Sequence, residues 1–164
     1  MMIRNWQEHY ARCRMSADEA MQLVRSRQRV FLTGNAATPK QLVAALIKRA
    51  PELYDVEIIH ILTVGEENYS APEMAGHLRV NTQFIGGNVR RAVNEGRADF
   101  TPVFLSEVPR LYRSVLKPDV ALIHISPPDD PGFCPFGVEV SVSKPATWAA
   151  DTLIAQVTPQ MPRP

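Results

Sequence analysis

Cysteine is scarce in this chain: Cys13 and Cys134 are the two present among 164 residues, far apart and without a CxxC partner. That spacing suggests neither a disulfide framework nor a zinc site, and it reads as two reduced thiols of a cytoplasmic protein. A charge excess is lacking too. Eighteen Lys and Arg face seventeen Asp and Glu, a net charge of +1, so no basic footprint points to nucleic acid. No run approaches the roughly 18 apolar residues of a membrane span. The opening MMIRNWQEHYARCR has no apolar core of signal-peptide length. HxH and HExxH clusters and a GxSxG elbow are missing, so no metal and no serine nucleophile is expected. The absent GxGxxG and P-loop patterns disfavour a dinucleotide-binding oxidoreductase.

What is present is an ordinary globular composition, 45% hydrophobic and 21% charged. A single domain over residues 1–164 is expected to bury roughly 68–70% of its unfolded surface. The fourteen prolines cluster from Pro102 onward, between apolar runs, and read as punctuation. The chain is organised around Asp119 to Gly137. Val120 to Ile125 is apolar except for His124, then breaks into Ser126-Pro127-Pro128-Asp129. A short apolar run bounded by turn residues predicts a strand buried on both faces of a parallel sheet. In such sheets ligands bind at loops leaving the carboxyl ends of strands.

Ser16 to Glu19 is a capping box opening a helix to Arg25. Arg29 to Thr33 predicts a strand that empties into Gly34-Asn35, with Thr38 and Gln41 capping the next helix. Val56 to Thr63 predicts a strand with exit loop Val64 to Asn68. His77 to Phe84 predicts a weaker strand nearer an edge, and Gly86-Gly87-Asn88 leads a helix that Gly96 ends. A short strand over Phe100 to Phe104, a helix capped by Ser106, Val120 to Ile125, the stretch Val138 to Val142, a helical piece through Trp148 and a strand over Leu153 to Val157 follow. Alternation of this kind predicts an α/β domain with a largely parallel sheet flanked by helices. Thr158 to Pro164, after the last strand, is expected to be a solvated tail or a domain boundary.

The loop Gly34 to Thr38 meets a helix N-terminus, which suits a phosphate or carboxylate. Gly86 and Gly87 allow close backbone approach to a ligand, Asn88 can cap the helix, and Arg90 and Arg91 can pair with anions. A tight turn and a solvated basic face explain the same residues. His60 and His124 read as core histidines. Asp129 and Asp130 give Cys134 no activation, and with Glu66 and Glu67 they read as solvated loop acids. From residues alone the chain is an α/β ligand-binding domain without a complete catalytic set.

A set of motifs runs nearly end to end: Trp6 with Ser16 to Ala20, Arg29 to Phe31, Phe84 to Arg90, Asn94 to Asp99, Phe104 to Glu107, Ser126 to Asp129 with Gly132-Phe133-Cys134 and Gly137, Ile154 to Val157, and Pro159 to Arg163. Together they resemble acetyl-CoA hydrolases and 4-hydroxybutyrate CoA-transferases. Two departures stand out: Arg27-Gln28 replaces a glycine and a small or acidic residue, expected to cost the preceding helix its C-cap, and Pro135-Phe136-Gly137 replaces Ser-Leu-Gly. The resemblance implies the NagB/RpiA/CoA-transferase-like fold and ping-pong chemistry through a glutamyl-CoA thioester. That glutamate lies in a second domain in the family, and no residue here matches its motif, so no catalytic residue is assigned and the chain alone is not expected to be competent. The implied partners are acyl-CoA and a small carboxylate, with the C-terminal domain or a partner half and a possible homo-oligomer. Coenzyme A is substrate, and no tightly bound cofactor is implied. The implied substrate-binding residues are Gly34, Asn35, Gly65, Thr82, Gly86, Asn88 and Arg90. A non-catalytic module binding a partner half or a small anion remains open.

Overall fold

The computed structural model describes residues 5–65 and 68–163. Six parallel strands form one sheet in the order β4-β3-β2-β1-β5-β6. They are β1 (Arg29–Leu32), β2 (Val56–His60), β3 (Leu78–Thr82), β4 (Asp99–Phe100), β5 (Val120–Ile125) and β6 (Thr152–Val157). From β1 the chain steps outward through β2, β3 and β4, then crosses back to lay β5 and β6 on the other side. The direction therefore reverses between β1 and β5, and such a switch point opens a crevice at the carboxyl ends of the strands.

Period-2 alternation divides the apolar residues between two cores. Val30, Leu32, Ile58, Val80, Val120 and Leu122 face one side, with Met21, Leu46 and Val89 among the helical residues packed on them. Phe31, Ile59, Ala121 and Ile123 face the other, under Val108, Tyr112 and Ala146. The layers follow. Helices α2 (Ala17–Met21), α3 (Lys40–Arg49) and α4 (Gly87–Asn94) cover the first face, and α5 (Val108–Arg113) and α6 (Ser143–Ala149) cover the second. Helix α1 (Trp6–Cys13) contributes no buried residue. None of the described helices is long and apolar enough to cross a membrane.

The Ser16/Glu19 capping box forms as expected. Other expected caps do not. Thr38 donates its hydroxyl to Asn35 O at 2.8 Å, and α3 is capped instead by Gln156 of β6, whose Oε1 accepts from Gln41 N–H at 3.0 Å. Ser106 sits inside a 3-10 turn, Leu105–Glu107, so α5 begins at Val108 without a side-chain cap. The expected strand over Phe100 to Phe104 shrinks to Asp99–Phe100.

Arg27 does not fall at the end of α2, which closes at Met21, but in the turn before β1. Its φ of 65° is in the left-handed region, where a residue other than glycine is strained. Its guanidinium lies 5.1 Å from the centroid of the Tyr54 ring, a cation–π contact that offsets part of that strain.

The segment expected as a solvated tail packs down. Met161 is buried, and Arg163 Nη1 donates to Pro127 O at 2.8 Å while Nη2 meets Asp129 Oδ2 at 2.9 Å. A methyl group on Gly132 would lie 2.6 Å from the Trp6 ring, and one on Gly137 would collide with Met161. Trp6 also donates its indole N–H to Asp130 O at 3.1 Å. Three sequence-distant signatures thus meet on one loop.

Candidate functional site

The β1, β2 and β3 exit loops are locked to one another before any ligand is considered. Asn35 takes φ 50°, donates its backbone N–H to Leu62 O at 2.8 Å and forms a parallel bridge with Thr63. Gly34 lies so close to the same strand exit that a methyl group there would sit well under 3.0 Å from Leu62 O. Glycine at 34 therefore has a packing reason of its own.

A cavity of about 250 Å³ opens at these carboxyl ends. Phe31, Ile61, Leu62, Phe84, Leu105 and Val142 make its walls mainly apolar, and Gly34 and Asn35 contribute from the β1 exit. Glu139 and Ser141 close it from the irregular segment that follows β5. Glu139 is buried. Its Oε2 accepts from Asn35 Nδ2 at 2.6 Å, and its Oε1 accepts from the Ser141 hydroxyl. Residue reading missed Glu139, because it sits in the alternating stretch Val138 to Val142, which forms no strand, and its hydrogen-bond partner lies 104 residues away.

Beside the cavity, a buried polar cluster fixes the entry to α4. Asn88 Nδ2 donates to Thr63 Oγ1 at 2.7 Å and to Tyr69 Oη at 3.0 Å. Thr63 and Tyr69 share a hydroxyl–hydroxyl hydrogen bond, and Tyr69 Oη lies 3.2 Å from His60 Nε2. Asn88 is therefore not the helix cap; Gly86 is, without a side-chain bond. Asn88 Oδ1 is buried and has no partner among the described residues. Burial pushes the His60 imidazole down to a pKa of about 4, so it is neutral near pH 7.

Thr82 is fully buried, and its hydroxyl donates to Phe84 O at 2.7 Å and Ile61 O at 3.0 Å. It shapes the β3 exit from beneath. Gly65 ends the described part of the β2 exit, with φ 142°; Glu66 and Glu67 lie outside the described residues. Arg90 is exposed on α4, and among the described residues no hydrogen bond or ion pair engages its guanidinium. Arg91, by contrast, pairs with Glu95 at 2.7 Å.

His124 is half-buried, with Nδ1 unpartnered and its pKa lowered by burial. Burial raises the Cys134 thiol pKa, Arg163 lowers it and Asp129 raises it. The net direction is up, away from a thiolate nucleophile.

The acetyl-CoA hydrolase/transferase N-terminal domain family matches residues 2–164. This chain belongs to that family. It is 40% identical over 159 residues to a 4-hydroxybutyrate coenzyme A transferase of Clostridium kluyveri, spanning 96% of this chain and 37% of the relative. It is 41% identical over 150 residues to a succinyl-CoA:acetate/propanoyl-CoA:succinate CoA transferase of Fasciola hepatica, spanning 90% of this chain and 31% of that one. The crystal structure of a 4-hydroxybutyrate CoA-transferase from Porphyromonas gingivalis superposes with a TM-score of 0.78 at 30% identity, over 96% of this chain and 36% of that one. The chain thus spans about a third of the length of the curated relatives it matches. The parallel sheet flanked by helices is the fold of CoA-transferases.

Proposed function

We propose that this chain is the part of an acyl-CoA:carboxylate CoA-transferase or acyl-CoA hydrolase that walls the acyl and acceptor side of the active cleft. The cavity at the carboxyl ends of β1 and β2 carries this reading, since it offers apolar walls for an acyl chain beside polar exit loops. Gly34 and Gly65 present backbone toward the acyl carbonyl, while Asn35 and Gly86, whose N–H groups are bonded to Leu62 O and Phe84 O, shape the exits around it. Arg90 holds the acceptor carboxylate, Asn88 supports it by fixing the entry to α4 through Thr63 and Tyr69, and Thr82 braces the β3 exit. Acyl-CoA and a small carboxylate are the substrates.

The family resemblance supplies the reaction. A glutamate attacks the acyl-CoA carbonyl, CoA thiolate leaves and returns to form a glutamyl-CoA thioester, and a carboxylate or water completes the cycle. Covalent catalysis of this kind divides one difficult step into easier ones. The glutamate comes from a C-terminal domain or a partner half. The test is CoA exchange between acetyl-CoA and butyrate in the native protein carrying this sequence. Arg90→Ala is expected to raise KM for the carboxylate by about tenfold or more, the worth of one charged hydrogen bond. Exchange undiminished in both Arg90→Ala and Asn88→Ala would remove them from the site. Robust turnover by residues 1–164 alone would place a nucleophile within this chain.

A further inference from the structure

Glu139 is the one charged side chain that lines the cavity among the described residues, and it is 7% exposed. A carboxylate in such a place is costly unless its surroundings compensate it. Two donors do so in part, Asn35 Nδ2 at 2.6 Å on Oε2 and the Ser141 hydroxyl on Oε1. No cation pairs with it among the described residues. A carboxylate has about four lone-pair positions, so two remain for whatever enters. The other walls are apolar apart from the residues already bound to it, and cannot screen its charge.

From this we infer that Glu139 is a specificity-determining residue that acts as a charge filter on the acyl chain. It turns away chains ending in a second carboxylate. The inference rests on the reading that this cavity receives the acyl chain. Its volume of about 250 Å³ lies below the roughly 300–1,000 Å³ typical of small-molecule pockets, which suits a short chain. Asn35 holds the carboxylate from the β1 exit, so the filter is anchored to the same loop that shapes the cavity mouth.

A matched four-carbon pair tests it: CoA transfer from acetyl-CoA to butyrate and to succinate in the native protein. The wild type is expected to favour butyrate over succinate in kcat/KM. Glu139→Gln keeps size and an acceptor oxygen while removing the charge. It is expected to raise the succinate-to-butyrate ratio by at least about tenfold, as loss of a like charge in a low-dielectric site requires. Ser141→Ala removes a donor but keeps the charge, and leaves that ratio within about twofold. Thermal melts of both variants show whether each is folded. Butyrate transfer with an unmoved ratio in folded Glu139→Gln overturns the filter alone. No transfer to any acceptor by the wild type overturns the functional reading with it.

Discussion

Gly34, Gly86 and Gly87 all border the candidate site, yet they face different surroundings, and alanine at each separates packing from ligand approach. At Gly34 a new methyl group lands on Leu62 O, backbone that cannot rotate away. Relief requires the β1 and β2 exits to part, and that strains the Asn35 N–H to Leu62 O bond of 2.8 Å. Overpacking costs about 1–3 kcal/mol and a lost hydrogen bond about 1 kcal/mol, together about 2–4 kcal/mol. For a chain of this size each kcal/mol moves the melting temperature by about 2–4 °C. Gly34→Ala should therefore melt about 4–16 °C below the wild type.

At Gly86 the methyl group meets Leu62 Cδ1 at 2.5 Å and Asn88 Oδ1 at 3.0 Å, both ends of side chains. A leucine tip can turn, so Gly86→Ala should cost less than Gly34→Ala. Gly87 has nothing within 4 Å and opens α4. Alanine there should be neutral or stabilising by up to about 1 kcal/mol. Thermal and urea melts of the three variants give the order. A Gly34→Ala melt within about 2 °C of wild type, less than 1 kcal/mol by the same scaling, would refute the locked-exit account. A Gly87→Ala variant that melts normally but loses substrate affinity would assign that glycine to backbone–ligand approach.

Two further outcomes concern the buried cluster. His60 holds a pKa of about 4 when folded, against roughly 6.5 in an unfolded chain. Between those values the unfolded state binds the extra proton. The contribution of His60 is therefore complete above about pH 6.5 and is lost as pH falls toward 4, about 3 kcal/mol in all. Urea midpoints from pH 7.5 to 4.5 should show this slope, and its persistence undiminished in His60→Gln would contradict the account; His124, also lowered, adds a smaller slope of the same sign. Asn88→Ala removes donors to Thr63 and Tyr69 and should lower stability by about 1–3 kcal/mol. Arg90→Ala, on an exposed side chain, should stay within about 0.5 kcal/mol in the same melts.

Strands β1, β2, β5 and β6 were legible because each is short, largely apolar and bounded by turn residues. VALIHI and TLIAQV pair in register from Val120 with Thr152 to Ile125 with Val157. The Ser16 capping box was legible because both partners lie within one turn. Thr38, Ser106 and Asn88 also looked like caps, but in each case tertiary contacts decided otherwise. Gln156, on a strand 115 residues away, fills the place expected for Thr38, and Asn88 turns inward to Thr63 and Tyr69. The glycine-rich exits were found by position, but whether a glycine serves packing or a ligand depends on what lies opposite it. Glu139 could not be found this way, since its neighbours Asn35 and the cavity exist only once β1 and the segment after β5 are side by side.

That juxtaposition also explains why the site needs so many internal bonds. A loop free to move would lose conformational entropy each time substrate bound, and ordering each side chain costs about 0.5–1.5 kcal/mol. Here the β1 exit is bonded to Leu62 and Thr63, the β2 exit to Asn88, and the post-β5 segment to Asn35. Each contact spans two exits, so the three loops are positioned by the fold itself, as the proposed site would require. Arg90, in contrast, stands exposed on the first turns of α4, with no partner among the described residues. A carboxylate arriving there gains a charged hydrogen bond without breaking one, which is the condition under which a single guanidinium can govern affinity.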